Sequence, residues 1–349
     1  MIFKTMKGQT GLLLLIILCM SHAFTSDCHA QQRPDMSGRK VVAYLPACAV
    51  PSYTPRWEKI THLCLAFGFV QADGNVDVTE VLKHRGVVEE AHRHGVKVLL
   101  SVGGGGSRNF SPAILDEQCR EKLVGQLTAL TADLGLDGID IDYEEWEGGP
   151  QGAGTSDLEK RVALEALYRE LRAALGPDKL IAAAVGALWD TGGFGTYNCY
   201  NETMHCYLDF VSLMIYDATG PWPSSHIGQH SGWMFFEKAI EHWLVNRKLP
   251  KEKLVAGVPF YGYRFVEGGD IKDTQSMTYK QILETYPDEE AHLKDSIGLL
   301  YYNGIPTIRR KVEYVKQHRL GGIMLWEITQ DTDEESKSLL NVIHRCITD

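Results

Sequence analysis

The chain carries 349 residues, with 35 Lys+Arg against 45 Asp+Glu, a formal net charge of −10. That balance excludes a nucleic-acid binder, which needs a basic footprint to meet phosphates. Hydrophobic residues at 44% and charged residues at 23% exclude a mostly disordered chain as well, and the length suits one large α/β barrel or two average domains.

Residues 1–30 read as an export signal. Lys4 and Lys7 precede an apolar run from Leu12 to Met20, too short to span a bilayer but right for a signal core. Cleavage is expected after Ala30, with Ala23 as the alternative. Lipidation at Cys19 or Cys28 is disfavoured, because Leu18 and Asp27 are poor residues before such a cysteine. Residues 31–349 are then one exported domain, secreted or periplasmic, expected to be monomeric and without a membrane span.

From residue 40 onward, short β-branched runs alternate with helical stretches. Strand candidates are Val41–Pro46, His62–Val70, Val96–Val102, Gly138–Tyr143, Leu180–Val185, Phe210–Tyr216, Leu254–Phe260 and Gly322–Trp326. Helical periodicity marks Val81–His94, Glu117–Leu134, Phe235–Val245, Ile308–Gln317 and Glu334–Cys346. The clearest helix runs from Ser156 to Leu175, opened by a Ser156/Glu159 capping box and stopped by Gly176-Pro177. Eight strands alternating with helices predict an α/β fold, a (β/α)₈ TIM barrel, with a small insertion between strands 7 and 8 at about residues 264–301. A doubly wound open sheet is the runner-up, but no G-x-G-x-x-G follows the first strand.

The cysteines carry little chemistry. Cys48 and Cys64 read as small core residues, and Cys199 and Cys206, flanking a short loop, could pair after export. No Cys-x-x-Cys or zinc-type His/Cys spacing occurs, so no metal and no cofactor is expected.

The informative stretch is Asp137-Gly138-Ile139-Asp140-Ile141-Asp142-Tyr143-Glu144. In a strand, period two puts Asp140, Asp142 and Glu144 on one face and the isoleucines on the other. The isoleucines suit the helix layer, so the acids climb the inside of the barrel and Glu144 reaches the carboxyl end, where barrel enzymes place their chemistry. Desolvation and like-charge repulsion raise such carboxyl pKa values, keeping a proton available near neutral pH for general acid catalysis. A calcium loop is the bland alternative, but isoleucines stand where such loops want Asn, Asp or Gly.

This segment also resembles the D-G-x-D-x-D-x-E signature of glycoside hydrolase family 18, the chitinases and some endo-β-N-acetylglucosaminidases; a chance match over the chain is on the order of one in a thousand. Ser101–Gly104 is similar to the family's third strand, Met214–Asp217 to its M-x-Y-D, Val258–Gly262 to its seventh strand and Gly321–Trp326 to its eighth. The resemblance spans roughly residues 41–330. It implies a retaining, substrate-assisted hydrolase of β-1,4-linked N-acetylglucosamine glycans, in which the sugar's own 2-acetamido oxygen is the nucleophile. Glu144 would be the acid and then the base, Asp142 would orient the acetamide, Asp140 would share a proton with Asp142, and Tyr216 would hydrogen-bond the acetamido oxygen. Asp217 and Met214 would line the same subsite above the Trp326 floor.

Cleft aromatics are expected because sugars present apolar C–H faces; Tyr44, Phe67, Trp146 and Tyr261 are the candidates, with Trp189, Trp222 and Tyr263 beside them, and Gly104 lies against the same site. Two departures stand out: Gly105-Gly106 extends the glycine run, and Arg264 follows Tyr263 where many chitinases place arginine directly after glycine. The short insertion implies an open cleft. The alternatives are an endo-β-N-acetylglucosaminidase acting on the chitobiose core of N-glycans and, in another class, a non-catalytic chitin-binding lectin, which usually lacks the glutamate.

Overall fold

Each of the eight β-branched runs forms a strand, and the strands close on themselves. The structure, a computed structural model, describes residues 38–145, 156–187, 199–223 and 225–348. The strands are β1 (Lys40–Pro46), β2 (His62–Val70), β3 (Lys97–Gly103), β4 (Gly138–Asp142), β5 (Leu180–Gly186), β6 (Phe210–Met214), β7 (Leu254–Pro259) and β8 (Gly322–Trp326). All eight run parallel in sequential order, and β1 pairs with both β2 and β8, which closes the (β/α)₈ barrel.

Alternation along the strands sorts two cores. Ile139, Ile141, Ala183, Val211 and Ile323 face outward and pack with helix residues such as Leu164, Leu167 and Leu171. Each buried leucine contributes about 1.5–3 kcal/mol, so packing rather than propensity holds the helices down. Inside, Val42, Tyr44, Cys64, Leu99, Ala182, Ala184, Phe210 and Met324 fill the barrel. The Asp157–Leu175 helix opens with the expected reciprocal Ser156/Glu159 capping box.

Several boundaries differ from the sequence reading. The expected 81–94 helix is two pieces, Thr79–Lys83 and Gly86–Arg93. The 334–346 helix starts late, at Leu339, because Ser338 takes the Asn341 N–H as its cap and Asp331 takes the Leu339 and Leu340 N–H groups. The insertion begins at Tyr261 rather than Arg264: Tyr261–Arg264 pairs antiparallel with Gln275–Thr278 and with Leu300–Tyr301, building a separate four-stranded sheet. Cys48 is exposed rather than core, and the expected bond between Cys199 and Cys206 is not formed; their thiols donate to Asp157 Oδ1 and Thr203 O. The expected signal and the candidates Trp146 and Trp189 lie outside the described residues.

Candidate active site

The register of β4 builds the site. Asp140 lies between Ser101 and Ala182, and Asp142 between Gly103 and Ala184; these small neighbours leave room for two carboxylates inside a closed sheet. Asp140 Oδ2 accepts from Tyr44 Oη at 2.8 Å and from Ser101 Oγ at 2.7 Å. Burial pushes Asp140 up to about 6 even so, against those two donors. Asp142 rises well above its ordinary range, first by burial and then by repulsion from Glu144 and Asp140. The Oδ1 atoms of both aspartates are buried without a donor among the described residues, so a proton held between the two relieves both the repulsion and the missing hydrogen bonds.

Glu144 lies two residues beyond the end of β4. Burial, followed by the nearby Asp217 charge, pushes its carboxyl up to about 7. The glycine run approaches it closely. Gly103 (φ 113°) lies so near the Asp142 carbonyl that a Cβ would sit 2.1 Å from the oxygen, so only glycine fits there. Gly104 donates to that carbonyl at 2.8 Å and presses on the face of Phe67. At Gly105 a Cβ would stand 3.5 Å from Glu144 Oε2.

The end of β6 supplies the opposite wall. Tyr216 is buried, its hydroxyl 3.8 Å from Met324 Sδ, and its pKa is raised well above the usual phenol value, first by burial and then by Asp142, Asp217, Glu144 and Asp140. Met214, at the end of β6, is half-buried. Asp217 adopts a left-handed backbone (φ 61°) and its Oδ1 accepts from Tyr261 Oη at 2.5 Å and Tyr263 Oη at 3.1 Å. A non-glycine residue in that region is uncommon and marks a position its surroundings determine. Trp326 forms a half-buried floor, stacked on Phe67 at 5.7 Å and tilted against Tyr44 at 5.6 Å.

The fold therefore brings Asp140, Asp142, Glu144, Tyr216, Asp217, Met214, Trp326, Phe67 and Gly104 to one mouth. Tyr44, expected as a cleft aromatic, is buried behind the acids as the partner of Asp140, and Tyr261 is engaged with Asp217. Residues the sequence reading passed over are Glu145, Lys160 and His230, all buried; His230 packs between Tyr261 and Tyr263, with Nδ1 3.4 Å from the Asp217 N–H nitrogen. Glu145 had a signal: period two puts it on the outward face with Ile139, Ile141 and Tyr143, where a carboxylate needs a dedicated set of donors. No grouping of His, Cys, Asp and Glu able to hold a metal occurs among the described residues, and no helix among them is long and apolar enough to cross a membrane.

A closed barrel that holds a half-buried, proton-retaining carboxyl at the carboxyl-terminal mouth has the machinery of an acid-dependent hydrolase. Comparison with known proteins makes the class specific. The family model for glycosyl hydrolases family 18 matches residues 34–331. A class V chitinase of Lotus japonicus is 26% identical over 93% of this chain and 91% of its own length. The crystal structure of a chitinase from Bacteroides thetaiotaomicron superposes with a TM-score of 0.76 at 32% identity, covering 89% of this chain and 97% of that one. The ChiB chitinase from the chitin utilization locus of Flavobacterium johnsoniae gives 0.73 at 31% identity, covering 89% and 94%. The chain belongs to glycosyl hydrolases family 18 and is a glycosidase of the chitinase family.

Proposed function

We propose that the protein is an exported hydrolase of β-1,4-linked N-acetylglucosamine, acting on chitin or its oligosaccharides with net retention. The observation that carries this reading is the stair of Asp140, Asp142 and Glu144, with a carboxyl held at about 7 at its open end. Glu144 protonates the glycosidic oxygen and afterwards activates water. Asp142 orients the acetamide and, once ionised, stabilises the positive charge that develops as the acetamido oxygen attacks the anomeric carbon. An intramolecular nucleophile has a large effective concentration, so the protein has only to place it and supply the proton. Tyr216 donates to the acetamido oxygen, and Trp326 lies under the reacting sugar. Export rests on the charged and apolar pattern of residues 1–30.

Glu144→Gln on a chitobiose-based chromogenic substrate tests the reading: turnover should fall by about 10²–10⁴-fold, and wild-type turnover in that variant would end it. The anomer first released, followed by NMR, reports retention. Chitin oligomers and a high-mannose glycoprotein digested in parallel separate chitin from N-glycan cleavage, and calorimetric binding without product would point to a lectin. Sequencing the amino terminus of the exported protein checks the leader.

A further inference from the structure

Next to the acid stands a second buried glutamate that the mechanism does not use. Glu145 is fully buried, yet its side chain points away from the barrel interior into the turn that follows the glycine run. Oε1 accepts from Phe110 N at 2.8 Å and Ser107 Oγ at 3.2 Å, and Oε2 accepts from Ser111 N at 2.7 Å. Its backbone oxygen takes the fully buried Lys160 Nζ at 2.7 Å and Tyr143 Oη at 3.2 Å. Residue 145 is thus tied by four bonds to two elements, the 107–111 turn and the Asp157–Leu175 helix, and by a fifth to its near neighbour Tyr143. That turn begins at the end of the run whose Gly105 lies against the Glu144 carboxyl.

We propose that Glu145 is a positioning residue for Glu144: its carboxylate fastens the end of the Gly103–Ser107 loop beside the half-buried acid and limits the water that reaches it. The proposal rests on the reading of Glu144 as the catalytic acid. Burial is the first cause of the raised Glu144 carboxyl, ahead of Asp217. The titratable groups around Glu144 are Asp142 and Asp140 on β4 and Tyr216 and Asp217 after β6, and none of them bonds Glu145. Releasing the loop through Ser107→Ala therefore leaves the neighbouring charges in place and changes mainly the hydration of the acid, whereas Glu145→Gln also removes the adjacent carboxylate. A wetter carboxyl falls back toward its ordinary range, and the alkaline limb of kcat/KM falls with it.

The test compares Glu145→Gln and Ser107→Ala with a control, Ile343→Ala, which opens the core under the last helix far from the cleft. Ser107→Ala removes a single bond and should fold even where Glu145→Gln does not. Two readouts are taken: the pH dependence of kcat/KM on chitooligosaccharide, and direct titration of the Glu144 carboxyl by carbon-13 NMR, its signal assigned by its loss in Glu144→Gln. Expected is a downward move of about one pH unit in Glu145→Gln and about half that in Ser107→Ala. The control should lose thermal stability without moving either readout. A Glu144 titration unchanged in the charge-neutral Ser107→Ala, or moved equally by the control, overturns the proposal. The carboxyl titration does not need turnover, so its outcome is separate from the failure of Glu144 as the acid.

Discussion

Two regions bury acids, and they treat them in opposite ways. Asp331, between β8 and the last helix, accepts from Ser338 Oγ at 2.6 Å and from the N–H groups of Thr332, Leu339 and Leu340 at 2.9–3.0 Å. At the barrel mouth, Asp142 keeps an unpartnered Oδ1, and no hydrogen bond reaches the Glu144 carboxyl from the described residues. Burial raises the pKa in both places, but around Asp331 four hydrogen bonds oppose it, whereas around Asp142 like charges add to it. A fully partnered acid serves the chain that donates to it. An acid left unsatisfied keeps its capacity for a ligand.

The largest expected effect breaks the mouth and leaves the frame intact. On the proposed mechanism Asp142→Asn removes the charge that balances the developing cation, and turnover should drop by about 10²–10³-fold, with the thermal unfolding midpoint no lower than in wild type. The reverse experiment is Asp331→Ala, which orphans four donors and should cost about 2–4 kcal/mol in denaturant unfolding while kcat per folded molecule stays within twofold.

A third comparison concerns pH. The folded Glu144 carboxyl, at about 7, binds protons more tightly than in the unfolded chain. Its contribution to stability is complete below the unfolded value near 4.5 and is lost as the pH rises through 7. Glu144→Gln, immune to that loss, should therefore gain roughly 1–2 kcal/mol over wild type at pH 8 and nothing at pH 4. Equal stability of the two proteins across that range would remove the premise that burial raises the Glu144 carboxyl. The smallest effect is at Tyr44→Phe: one of the two donors holding Asp140 down is lost, and the acidic limb of the rate profile should move up by about half a pH unit.

What the sequence made legible is what obeys a period. Asp140 and Asp142 could be placed inside the barrel because isoleucines stand between them, and the capping box at Ser156 is a local pattern that nothing distant overrides. What it hid depends on contacts across the chain. Tyr44 is an aromatic near a strand end like several others, and only the β1–β2–β3–β4 neighbourhood makes it a donor to Asp140. Helix-forming Glu and Lys in 334–338 suggest an earlier start for the last helix than Leu339, but the Asp331 and Ser338 side chains offer the backbone a competing set of bonds. Spacing alone suggests a Cys199–Cys206 pairing, but each thiol has an oxygen acceptor instead.

One strand has a consequence for engineering. Tyr261–Arg264 opens the insertion sheet and also delivers the two phenols that grip Asp217. Anyone shortening this excursion to admit a bulkier polymer must preserve the hairpin ladder to Gln275–Thr278 and delete only distal to it. A graft that replaces the whole excursion exchanges the wall of the cleft and the orientation of Asp217 in a single step, so its effects on reach and on rate would arrive together.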